Sequence, residues 1–157
     1  MSRRALSGAA ARTHDLGVVA RMTQRTSVMY AGIIVESAPT AVLFARPRHP
    51  YMAGLLHSMP RLDRVGEELT PIEGAPPDQQ REPRGCPFAP RCAWRVDACW
   101  ERMPPLAPAD ADGGLVTTGR RATHLVACHN PVLPEEVDAA RPVRPRFTPS
   151  PPPGGAA

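Results

Sequence analysis

Proline sets the first limit on what this chain can become. None occurs before Pro39; it then recurs to the end, and its 21 copies with the 12 glycines take about a fifth of the 157 residues. Each proline removes a backbone donor and interrupts a helix or a sheet. Regular structure is therefore predicted mainly between Thr13 and Pro60. Large apolar side chains are also scarce, with aromatics at 4%, so hydrophobic burial alone is not expected to hold the whole chain together.

All 19 basic residues are arginine. The absence of lysine excludes Schiff-base chemistry, a kinase-type lysine and the phosphate-binding lysine of a P-loop. A net charge of +4 and a pI near 9.3 suit nucleic acid, but the arginines are scattered and have few aromatics among them, so no nucleic-acid partner is predicted. No run approaches the roughly 18 to 20 apolar residues of a membrane span. Met1 to Arg12 lacks the apolar centre of a secretory signal, which predicts a cytoplasmic protein in which structural disulfides are improbable.

Five segments are distinguished: 1–12, 13–60, 61–85, 86–130 and 131–157. In the second, Asp15 is placed to cap a short helix carrying Leu16, Val19, Ala20 and Thr23 at helical spacing. Ser27 to Tyr30 and Ile33 to Glu36, joined by Ala31-Gly32, predict a β-hairpin. Thr40 to Ala45 and Tyr51 to Ser58 predict two short helices separated by Arg46-Pro47-Arg48-His49-Pro50. Residues 61–85 read as a linker or draped segment. Residues 86–130 hold Cys86, Cys92, Cys99 and Cys128 with little periodicity, so something other than a hydrophobic core is expected to organise them. Residues 131–157 read as a disordered, proline-rich tail.

The four thiols are spaced C-x5-C, C-x6-C and then by a long loop. Zinc would take four thiolates, but its structural sites usually show a closer knuckle. An iron–sulfur cluster is larger and tolerates wider spacing. Free thiols or disulfides remain a third reading. Trp94 and Trp100 bracket Cys99 and are expected to shield a metal or to pack locally. Arg91, Arg95 and Arg102 either offset cluster charge or are solvated. His124 and His129 could each replace a thiolate at zinc, although their ordinary reading is that of surface loop residues.

The strings Thr-His-Asp-Leu-Gly-Val-Val-Ala at 13–20 and Val-Met-Tyr-Ala-Gly-Ile-Ile-Val-Glu at 28–36 resemble the switch region of an ABC-transporter ATPase. Leu-Phe-Ala-Arg-Pro-Arg-His-Pro-Tyr-Met-Ala-Gly-Leu-Leu at 43–56 and Gly-Cys-Pro-Phe-Ala-Pro-Arg-Cys at 85–92 resemble the oligopeptide and dipeptide importer branch, as do Cys99, Pro104-Pro105-Leu106 and Val126-Ala127-Cys128-His129. The resemblance implies an α/β fold: a truncated C-terminal part of an ABC-type nucleotide-binding domain, followed by a loop-rich, cysteine-stapled extension. It implies that His14 is the switch histidine contacting the γ-phosphate. It also implies a [4Fe–4S] cluster on Cys86, Cys92, Cys99 and Cys128, with zinc as the alternative. Permease subunits and a second ATPase subunit are the implied partners, on the cytoplasmic face of a membrane.

No P-loop, signature motif or Walker B strand occurs in this chain; Leu6-Ser7-Gly8 only superficially resembles a signature. ATP and magnesium, bound by the intact family, are therefore not expected to bind tightly here, and the chain is expected to be inactive alone. Two other readings stand beside this one: a free-standing four-cysteine metal module, and a non-functional truncated gene product.

Overall fold

The computed structural model describes Thr13, residues 15–59, 71–77, 83–109 and 124–133, and Glu136. His14, segment 1–12 and most of the tail lie outside the described residues. The first element is α1, Leu16–Met22, which Asp15 caps by accepting a hydrogen bond from the Val18 amide. A hairpin follows, with β1 at Arg25–Tyr30 and β2 at Ile33–Pro39. Ala31 and Gly32 turn it with φ of 47° and 81°, the paired positive values that suit the twist of a two-residue hairpin loop. Helices α2, Thr40–Ala45, and α3, Pro50–His57, flank the proline-bearing bend. Three hydroxyls, from Thr23, Thr26 and Thr40, lie within 3.1 Å of one another and tie the end of α1 to β1 and the start of α2.

A bulge in the hairpin decides what is buried. Val28 pairs with Glu36 and Met29 with Ile34, which leaves Val35 as the extra residue on β2. A bulge breaks strict alternation, so Val35, Glu36, Ser37 and Ala38 are all buried. Glu36 is thereby carried into the interior of the sheet.

The cysteine-bearing half adds a 3-10 turn at Ala89–Arg91, then α4 at Ala98–Glu101, and two short strands, β3 at Ala107–Pro108 and β4 at Leu125–Val126. Among the described residues these strands complete one antiparallel sheet in the order β1-β2-β4-β3. The sheet thus crosses the boundary that composition suggests between the hairpin and the cysteine segment.

The core crosses it too. Val28, Tyr30, Val35, Leu43 and Met52 pack in one cluster with Phe88, Cys92, Trp94 and Val132. Tyr30 meets Tyr51 and Phe88 edge-on at ring-centroid distances of 4.7 and 5.1 Å. The expectation that something other than a hydrophobic core organises 86–130 is corrected here: Phe88 and Trp94 fold this segment onto the hairpin's own core. Residues 71–77 are draped over the same region. Arg91 donates to the carbonyls of Ile72 (2.8 Å) and Glu73 (2.9 Å), and Ile72 lies against Gly54 of α3.

Among the described residues, Val18, Met22, Met29, Ile34, Val42 and Leu106 are exposed. No described helix is long and apolar enough to cross a membrane.

Candidate metal centre

Each cysteine has a backbone amide aimed at its sulfur, Cys86, Cys92 and Cys128 in turns and Cys99 within α4. The Phe88 and Ala89 amides face Cys86, the Trp94 amide faces Cys92 and the Asn130 amide faces Cys128. The Val96 amide donates to the Cys99 sulfur at 3.5 Å. Three of the four thus use the amide two residues further on, the geometry of a tight turn around a thiolate. Such hydrogen bonds favour a charged or metal-bound sulfur.

The turns also lock to one another. The Cys86 amide donates to the Cys99 carbonyl at 2.8 Å, and Gly85 lies so close beneath it that a Cβ would stand 2.2 Å from the Cys99 oxygen. The Asn130 amide nitrogen donates to the Trp94 carbonyl at 3.0 Å, and a ring nitrogen of His129 bonds to the Arg102 carbonyl at 3.0 Å. The four cysteines are free thiols; Cys92, Cys99 and Cys128 are buried and Cys86 is partly so.

Burial pushes all four thiols upward, Cys92 to about 12 and Cys128 well above the usual thiol range. Neighbouring sulfurs add to the effect. Cys86 is raised by Cys99, Cys92 by Cys86 and Cys99, and Cys128 by all three others. Every pair of the four therefore interacts. Yet among the described residues no group of three or more His, Cys, Asp or Glu side chains is drawn together as the ligands of a metal ion. The thiols are neighbours, but they do not form the ligand set of an ion.

Two further features bear on what this group of thiols could accept. The indole N–H groups of Trp94 and Trp100 are buried and without a hydrogen-bond partner among the described residues. Trp94 lies two residues after Cys92 and Trp100 directly follows Cys99, so two buried donors adjoin the thiol cluster in the chain. A buried donor left unpaired is costly and marks a place where an acceptor is missing. Such donors suit an acceptor, sulfur among those that would serve.

The sequence places the other candidates less well. His124 is buried, not a surface loop residue, and its Nε2 lies 2.6 Å from Glu36 Oε1. That engagement occupies one of its two ring nitrogens. Arg91 is spent on the draped segment and on the Tyr30 hydroxyl, 3.4 Å away, while Arg95 donates to the Cys92 carbonyl at 2.9 Å and lies 6.0 Å from the Trp100 ring centroid. Arg102 is exposed.

Sequence reasoning missed Glu36, Arg48 and His49, because the bulge and the bend that bury them leave no periodic signal. His49 caps α3, its Nδ1 accepting from the Tyr51 amide at 3.1 Å. Its Nε2 is buried without a partner among the described residues, and burial drives its pKa down to about 3. The imidazole is neutral, with the proton on Nε2.

Residues 35–99 match the family model described as "Oligopeptide/dipeptide transporter, C-terminal region". The chain is 52% identical over 108 residues to a "Putative peptide import ATP-binding protein" of Brucella ovis, covering 65% of this chain and 32% of that protein. It is 48% identical over 117 residues to "Dipeptide transport ATP-binding protein DppD" of Bacillus subtilis, covering 73% of this chain and 35% of the relative. Against "Oligopeptide transport ATP-binding protein OppD" of Salmonella typhimurium the figures are 48% over 94 residues, 60% and 28%. The chain spans about a third of the length of the first of these relatives.

Proposed function

We propose that this chain supplies the C-terminal part of an ATP-binding subunit for peptide import, and that Cys86, Cys92, Cys99 and Cys128 hold a [4Fe–4S] cluster within it. What supports the cluster reading is that the four cysteines lie in one folded segment, three of them buried and Cys86 partly so, with the Cys99 sulfur accepting from the Val96 amide at 3.5 Å. The unpartnered Trp94 and Trp100 donors support it further. Zinc is the lesser reading, since its structural sites usually use a closer cysteine knuckle than C-x5-C. When bound, the cluster joins turns that otherwise meet only through a few hydrogen bonds and a small core. Its role is structural.

In this reading His14 contacts the γ-phosphate as part of an assembled ATPase. Permease subunits and a second ATPase subunit are the partners, at the cytoplasmic face of the membrane. The exposed Val18, Met22, Met29, Ile34 and Val42 suit a face covered by the rest of such an ATPase domain. With no lysine in the chain, the 157 residues by themselves lack a P-loop and turn over no ATP.

The test is anaerobic purification with iron, sulfide and zinc quantified beside the visible absorption. About four iron and four sulfide per chain is the expected result. Zinc alone would support the free-standing metal module in its place, and a soluble, metal-free protein would remove the cluster from the account.

A further inference from the structure

Cys128 is set apart in sequence from the other three thiols, and its place depends on a carboxylate in the hairpin. The segment 124–132 that carries it is gripped at both ends. At one end His124 Nε2 lies 2.6 Å from Glu36 Oε1. At the other, the Val132 amide donates to the Arg48 carbonyl at 2.8 Å, and Arg48 Nη1 donates to the Val132 carbonyl at 3.2 Å.

The two grips share one anchor. Glu36 Oε1 accepts the Arg48 amide at 2.7 Å, and Oε2 accepts the His49 amide at 2.9 Å. Between the grips, Val126 pairs with Glu36 in the sheet, and the Ala127 amide donates to the Val35 carbonyl at 2.8 Å. Directly after this comes Cys128, whose following residues reach the opposite way, to the Arg102 and Trp94 carbonyls.

We propose that Glu36, acting through Arg48 and His124, is the positioning residue for Cys128, and that it couples the hairpin to the four-cysteine site. A wholly buried carboxylate with donors on both oxygens is a stiff joint, because each bond is charge-assisted and no water competes for it. Any change that shifts β2 relative to the bend at 46–49 moves both grips and thus the fourth thiol. By linkage, a group that fixes Cys128 against the other thiols also tightens the hairpin. That the positioned thiol serves a metal site rests on the cluster reading; that Glu36 positions it does not.

The experiment uses the full chain in metal-free form. Iodoacetamide labelling is followed separately at each cysteine by peptide mass spectrometry. Cys128, buried like Cys92 and Cys99, is expected to label slowly in the parent chain. Glu36→Gln, which turns an acceptor into a donor facing other donors, raises its labelling rate roughly tenfold or more and leaves Cys92 and Cys99 within about twofold. His124→Leu acts in the same direction, and His124→Gln, which still donates to Glu36, restores slow labelling.

An unchanged Cys128 rate in Glu36→Gln and His124→Leu would overturn the proposal. So would a parallel rise at all four thiols, which would mean general loosening. A parent chain that takes up no iron would end the cluster reading and leave this result standing.

Discussion

Ala31 turns the hairpin with φ of 47°, a conformation in which a Cβ crowds the following carbonyl oxygen at a cost of roughly 1 to 2 kcal/mol. The residue is exposed, so relieving the strain disturbs nothing packed. Ala31→Asn, better suited to the left-handed region, is expected to stabilise the chain by about 1 kcal/mol in urea denaturation.

His49 has the opposite kind of tension. Its pKa is 6.5 when unfolded and about 3 when buried, so below pH 6.5 the unfolded chain binds the proton that the folded chain refuses. Its contribution is therefore intact above pH 6.5 and is lost as pH falls toward 3, at a limiting slope of about 1.4 kcal/mol per pH unit. His49→Asn keeps a helix-capping oxygen but does not titrate there. Denaturation curves across that window should lose this part of their acid slope, whatever the variant's stability at neutral pH. Neither His49 nor His124 is legible as buried from the sequence, because each is placed by a partner far along the chain.

At the scale of elements, the parts that announce themselves locally are those with a cap or a turn signal. Asp15 before α1, Ala31-Gly32 between β1 and β2, and Pro50 at the first turn of α3 each settle a conformation within a few residues. Strands β3 and β4 have two residues each and carry no period that could be read. They exist because β2 offers an edge and Glu36 a bond to His124. The contact of Gly85 with α4 is equally silent in sequence, yet it is the tightest approach between two cysteine turns. Gly85→Ala forces the Cys86 turn away from Cys99 and is expected to cost about 2 kcal/mol or more. Thermal unfolding would show the loss, and Cys86 and Cys99 would label faster while the α1 and hairpin amides keep their hydrogen-exchange protection.

For the whole molecule, the sequence suggests a packed N-terminal part, a linker and a separately organised cysteine segment, whereas the described residues share one core and one sheet. Composition misleads here because it counts the apolar residues within a segment and is blind to burial against another. Phe88 and Trp94 are few, but each reaches the hairpin's cluster. The segment that carries the cysteines is consequently folded onto the hairpin by the same packing. The cluster proposed above would then join parts of one core rather than organise a separate unit.

Iron K-edge X-ray absorption on the anaerobically purified chain tests this most directly, alongside the same measurement on Cys128→Ser. The account predicts iron surrounded by sulfur with a short iron–iron shell in the parent chain, and a first shell that changes when the Cys128 sulfur is removed. Iron ligated mainly by oxygen or nitrogen, or a first shell indifferent to Cys128→Ser, would contradict it.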